Sequence, residues 1–175
     1  MNIQLPFTKE NMKLLKAGDN ITVSGVLYTA RDAAHKRMCE ALRRGEKLPF
    51  EINGATIYYA GPCPSKPGEV IGSCGPTTST RMDAYTPSLL KLGLCAMIGK
   101  GDRSDDVMDA MQENGAIYLA AIGGAGALYS DCIKKVEVIA YEDLGPESVK
   151  RLEVENMPVT VAIDLLGNNL YREQK

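Results

Sequence analysis

Between Gly72 and Asp83 the chain reads Gly-Ser-Cys-Gly-Pro-Thr-Thr-Ser-Thr-Arg-Met-Asp, a run of hydroxyls and small residues with one arginine. Where such a run opens a helix, unpaired backbone N–H groups face outward and suit an anion. If the chain turns helical from about Thr77, that residue and Arg81 lie four apart on one face, and a hydroxyl and a guanidinium can meet the same substrate. An ordinary Thr or Ser cap beside a solvated arginine explains the same composition equally well. Arg31 and Asp32 stand in the first turn after a predicted strand, and Lys100 follows another between two glycines. Ends of strands are where open α/β sheets bind ligands. Arginine grips a carboxylate through two parallel bonds and lysine adds a point charge, so cations placed there suit a small dicarboxylate. Taken singly, each is better explained as a solvated surface charge.

Other groups carry less. Gly123-Gly-Ala-Gly-Ala-Leu128 follows an apolar run like a nucleotide-binding turn, but Tyr129 occupies the place of the third glycine and no lysine followed by Ser or Thr completes a phosphate loop. These glycines are read as permitting a tight strand-to-helix turn. Cys39, Cys63, Cys74, Cys95 and Cys132 are odd in number and widely scattered, without a CxxC pair, which favours idle thiols in a reducing compartment. The single histidine, His35, lies four residues before Cys39 on one helix face, too few ligands for a metal. It is as well explained by packing or hydrogen bonding.

The elements that must position these residues follow from periodicity. Residues 20–28 (NITVSGVLY) are β-branched and partly alternating, which predicts a strand, and 30–44 predicts a helix with Ala34, Met38, Ala41 and Leu42 on one face and Gly45 as its stop. Residues 55–60 predict a second strand, and Pro62, Pro64 and Pro67 force a loop before a short strand at 69–72. Thr86 with Pro87 opens a helix that Gly93 ends. A covered strand at 94–98, a helix at 102–114 and an apolar run at 117–122 make a β-α-β unit. Residues 135–141 alternate as a half-exposed strand, and 158–165 give the last one before a Gly167–Asn168 turn. The 175 residues, 45% hydrophobic and 24% charged, without repeats or linkers, are expected to form a single α/β domain with a mixed sheet spanning 1–175. A net charge of −2 with basic residues only in pairs gives no nucleic-acid footprint. No run reaches the length of a membrane span and the N-terminus has no leader pattern, so a soluble cytoplasmic protein is expected.

Five stretches occur together and in order: Ala30-Arg-Asp-Ala-Ala-His35, Gly61-Pro62, Gly75-Pro-Thr-Thr with Arg-Met-Asp at 81–83, Ile98-Gly-Lys-Gly101 and Gly123-Gly-Ala-Gly126. Over about residues 10 to 170 the chain resembles the β subunit, or C-terminal domain, of class I fumarases and L-tartrate dehydratases. The resemblance implies a swivelling β/β/α domain that closes over a larger α subunit carrying a four-iron, four-sulfur cluster, with no cofactor bound by this chain. It implies that the cluster's open iron draws the hydroxyl from the substrate as a Lewis acid while a base removes the neighbouring C–H proton. Carried onto matching positions, it makes Thr77 and Arg81 catalytic, Thr77 as the base, with Arg31, Arg81 and Lys100 holding the carboxylates. A threonine needs a partner to accept its proton. Asp83 and an acid of the α subunit are both open for that role. The activity implied is reversible hydration of fumarate to L-malate. Dehydration of tartrate or another hydroxy-dicarboxylate is the alternative, and a non-catalytic dicarboxylate-binding module is a second. The expected assembly is a hetero-oligomer, with dimerisation of the isolated chain through an exposed apolar patch.

Overall fold

The computed structural model describes residues 1–172. Seven strands and five α-helices run β1 (Asn2–Gln4), α1 (Lys9–Leu14), β2 (Asn20–Thr29), α2 (Asp32–Arg43), β3 (Thr56–Tyr58), α3 (Thr86–Lys91), β4 (Ala96–Gly99), α4 (Asp105–Asn114), β5 (Ile117–Ala120), α5 (Gly126–Cys132), β6 (Ile133–Ala140) and β7 (Val149–Ile163). Two 3-10 segments, Ser79–Met82 and Glu142–Glu147, interrupt the loops. The sheet is mixed, in the order β1-β2-β3-β4-β5-β7-β6, and β2 also pairs with β7. Strands β1 to β5 are mutually parallel, while β7 runs antiparallel to β2, β5 and β6. The pairings β2–β3–β4–β5–β7 therefore return to β2 and close a ring. Among the described residues no helix is long and apolar enough to cross a membrane.

Period-two alternation divides the interior. Tyr58, Ile98, Ile117, Leu119, Val159 and Val161 join one core. Their neighbours Ile57, Tyr59, Met97 and Tyr118 join a second, which is covered by Ala34 and Met38 of α2, Leu89 and Leu90 of α3, and Val107 and Met111 of α4. Strand β4 is buried throughout, as its continuous apolar run predicts. Helix α3 carries Pro87 in its first turn, and α4 is capped by the Ser104 hydroxyl and ended by Gly115 at φ 70°.

Two expectations need correction. Residues 69–72 form no strand, because that segment lies in the proline-rich loop and Cys63 N donates to Ser73 O there instead. The last strand starts nine residues earlier than expected. Leu152 and Val154 are buried at even positions and Met157, Val159 and Val161 at odd ones, because Glu155 and Asn156 together oppose Ser24 in a bulge. Asn156 adopts φ 50° and its N–H donates to Ser24 Oγ. The change of phase hides one strand inside two patterns. The elements β1 and α1 also went unread, being three and six residues long.

Candidate active site

The carboxyl ends of the parallel strands form one edge of the sheet, and the stretches singled out from the sequence meet there. Ala30, just beyond β2, donates its N–H to Tyr58 O of β3 (3.2 Å). Arg31 then caps α2 in an extended conformation, and its carbonyl accepts from both His35 N and His35 Nδ1, each at 2.9 Å. His35 is fully buried, in edge contact with Tyr59, and burial lowers its pKa to about 4, so it is neutral with the proton on Nδ1. It fixes the backbone that carries Arg31.

Across this edge lies the segment expected to begin a helix at Thr77. It does not. Thr77 N donates to Tyr59 O (2.7 Å), Thr77 O accepts from Lys100 N (3.4 Å), and Ser79 N donates to Lys100 O (2.9 Å). Thr78 thus bridges Lys100 in parallel fashion, and the strand-like piece wedges between the ends of β3 and β4. The shared helix face proposed for Thr77 and Arg81 is lost, because the sheet edge offers Thr77 better backbone partners than a helical turn. The amides of Thr77 and Ser79 are likewise taken and do not face a ligand. Only Ser79–Met82 is helical, and Arg81 lies within that turn.

Close approach of chains explains two glycines here. A Cβ on Gly61 would stand 2.9 Å from Arg31 Cδ, so the Arg31 side chain lies flat on that glycine. A Cβ on Gly126 would overlap Ser73 Oγ and come within 3.0 Å of Gly75 N. The GGAGAL turn is therefore a seat for the Thr77 segment, to which Gly126 O also accepts from Cys74 N. Lys100 stretches beside Gly123 and is exposed.

The charges are arranged in pairs. Arg81 Nε donates to Asp32 Oδ2 at 2.8 Å, with the arginine half exposed. Arg31 Nε is buried and stands 3.9 Å from Glu147 Oε1. Thr77 is half-buried and Thr78 exposed. Three cations, Arg31, Arg81 and Lys100, thus share one edge with two acids, an excess of one positive charge that favours an anion. Asp32 and Glu147 were not selected from the sequence as site residues. Only Asp32, adjacent to Arg31, carried a local signal.

Asp83 is occupied elsewhere. Its Oδ1 accepts from Arg103 Nε and its Oδ2 from Ser104 N, both at 2.8 Å. Arg103 is itself buried, donates to Tyr59 OH and Thr86 Oγ1, and lies 5.0 Å from the Tyr118 ring centroid. This pair braces the second core and commits both oxygens of Asp83 to Arg103 and Ser104.

The cluster implied by the resemblance does not fit this chain's residues. Cys39, Cys74 and Cys95 are buried and Cys63 is exposed, and burial pushes the Cys74 thiol up to about 12 and that of Cys95 to about 11, away from the thiolate that iron requires. Among the described residues, no group of three or more His, Cys, Asp or Glu could hold a metal ion.

A family model described as Fumarase C-terminus matches residues 1–174. The chain belongs to that family. A Methanocaldococcus jannaschii protein provisionally named L(+)-tartrate dehydratase subunit beta is 42% identical over 172 residues, 95% of this chain and 88% of that protein. Fumarate hydratase class I, aerobic, of Escherichia coli K12 is 39% identical over 155 residues, 87% of this chain and 28% of its own length. Fumarate hydratase 2 of Leishmania major is 37% identical over 175 residues, 98% of this chain and 31% of that protein. The chain thus spans most of the tartrate dehydratase subunit but a third or less of these fumarate hydratases.

Proposed function

We propose that this chain is the β subunit of a hydro-lyase acting on a four-carbon dicarboxylate, with reversible hydration of fumarate to L-malate as its reaction and a cluster-bearing α subunit as its partner. The observation that carries the reading is the convergence of Thr77, Arg31, Arg81 and Lys100 on one sheet edge within a chain of the fumarase C-terminus family. Tartrate is the second reading, favoured by the 42% identity to the M. jannaschii subunit.

In this reading Arg31 and Arg81 bind the substrate carboxylates and Lys100 adds a positive charge, which orients the carbon that exchanges a proton with Thr77. The Thr77 backbone is set by its two bonds to Tyr59 and Lys100, which holds the root of its side chain at the edge. A threonine hydroxyl binds its proton too tightly to act alone near neutral pH. With Asp83 committed to Arg103, the group that takes the proton onward is assigned to the α subunit.

The test is turnover of the co-expressed pair on fumarate, L-malate and tartrate, with Thr77→Ala and Thr78→Ala compared. Thr77→Ala is expected to lower turnover and solvent exchange of the substrate C–H proton by roughly 100- to 10,000-fold with assembly intact. Thr78→Ala should be mild. Near-normal exchange in Thr77→Ala would move the base off this chain, and a pair inert on all three substrates would reject the hydro-lyase reading.

A further inference from the structure

Four of the five buried side-chain polar atoms without a partner among the described residues, Thr29 Oγ1, Arg31 Nε, Asp32 Oδ1 and His35 Nε2, fall within the seven residues that join β2 to α2. Buried polar groups are ordinarily satisfied, so this concentration at the candidate site calls for a reason. The two charged side chains at its centre, adjacent in sequence, reach in different directions. Arg31 extends toward Glu147, at the end of the 3-10 segment before β7, and Asp32 toward Arg81, in the 3-10 turn after Thr77. The start of α2 is thereby tied to both loops that border the edge.

We propose that Asp32 and Glu147 are positioning residues for a carboxylate clamp, Asp32 by holding the Nε edge of Arg81 and Glu147 by standing ready to take that of Arg31, so that each Nη pair is left for the substrate; the inference rests on the function proposed above. Asp32 Oδ2 accepts from Arg81 Nε at 2.8 Å, and the Nη atoms of Arg81 have no protein partner among the described residues. A guanidinium anchored through Nε keeps its Nη fork for a two-point bond to a carboxylate. Asp32 is itself fixed in the first turn of α2, where the helix dipole favours an anion. Glu147 Oε1 accepts from Ala33 N at 3.3 Å and stands 3.9 Å from Arg31 Nε. It is placed to form the Arg31 bond through a small shift when a dicarboxylate draws that guanidinium. An arginine on a free stem would lose rotamer entropy on binding, and the anchored one has already lost it.

The experiment has two arms. In the first, the 15Nε–1Hε resonance of Arg81, assigned by its loss in Arg81→Lys, is followed in the full chain. Slow solvent exchange is expected, becoming fast in Asp32→Ala. In the second, the reconstituted complex is assayed with its dicarboxylate. Asp32→Ala and Glu147→Ala are expected to raise KM by roughly 10- to 100-fold, with kcat changed less than about threefold. Asp32→Asn, which keeps one neutral acceptor, should fall between, and melting temperature should stay near wild type. An unchanged KM in Asp32→Ala within a wild-type-competent complex, or a fall in melting temperature alone, overturns the positioning role and leaves the hydro-lyase reading standing. A wild-type complex without turnover overturns both. Fast exchange at Arg81 Nε in the wild-type chain overturns the anchoring on its own.

Discussion

His35 makes the stability of the protein depend on pH in a window where no other side chain of ordinary pKa titrates. It is the single histidine of the chain, fully buried, with its pKa lowered by burial to about 4 from an unfolded value of about 6.5. The folded state therefore refuses a proton that the unfolded state takes up once the pH falls below 6.5. Stability should be flat above that pH, decline as the pH drops toward 4, and level off once folded His35 also protonates. Each pH unit inside the window costs up to about 1.4 kcal/mol, hence about 2 kcal/mol between pH 6.5 and 5. For a chain of this size that lowers the melting temperature by roughly 4–8 °C. Asp102 and Glu153, whose folded pKa values lie below the usual carboxylate range, lose their contributions only at lower pH and do not confuse the reading. Melting curves from pH 7.5 to 5 for wild type and His35→Gln provide the assay. The variant should be less stable at pH 7, having lost the bond to Arg31 O, yet nearly flat over that range. A wild type that is flat from pH 6.5 to 5, or an equal slope in both proteins, would refute the argument.

Two further outcomes follow from the packing around the site. Arg103→Met should destabilise the chain by about 3–5 kcal/mol in chemical denaturation, because it strands Asp83 beneath the surface with Ser104 N as its remaining bond. Adding Asp83→Asn should recover much of the loss, and a single-variant cost below about 1 kcal/mol would show the pair to be dispensable. Gly126→Ala should cost about 1–3 kcal/mol, since its Cβ overlaps Ser73 Oγ and crowds Gly75 N. By shifting the Thr77 segment it should also lower turnover of the complex by roughly 100-fold. Full activity in that variant would mean that the glycine turn does not seat the segment.

The elements that could be read in advance are those whose signals are local. Helix α2 shows its apolar face, Gly115 and Gly93 mark helix ends, and β4 is a short run without polar residues. That Arg31 and Lys100 lie at strand ends was legible because each stands just beyond a predicted strand. What could not be read depends on partners distant in sequence. The closure of the sheet joins β2 to β7 across more than a hundred residues, and the bulge at Asn156 makes sense only opposite Ser24. The run of hydroxyls before Arg81 fits a place where a helix could begin, from about Thr77. The backbone groups of Tyr59 and Lys100, which win the competition for it, are invisible in the local sequence. Asp83 looked free for the same reason, since Arg103 lies twenty residues further on and shows no pattern of its own.

The open character of the edge bears on why a second subunit belongs in the proposed function. Arg81 and Lys100 are exposed, and an exposed ion pair contributes about 0–1 kcal/mol. Two carboxylates bound this way gain about 2 kcal/mol, which corresponds to a dissociation constant of tens of millimolar. The clamp gains strength when another surface covers it, because the same charges attract several times more strongly once water is excluded. The geometry of this chain supplies what such a cover needs. The backbones of Thr77 and Lys100 are fixed by bonds between β3 and β4 and that of Arg31 by His35, the Arg31 side chain lies on Gly61, and the Arg81 guanidinium is held by Asp32. In the proposed function, a half-site whose backbone and Arg81 are already held needs little reorganisation when a partner closes on it, so more of the energy of closure can go into desolvating the substrate's charges.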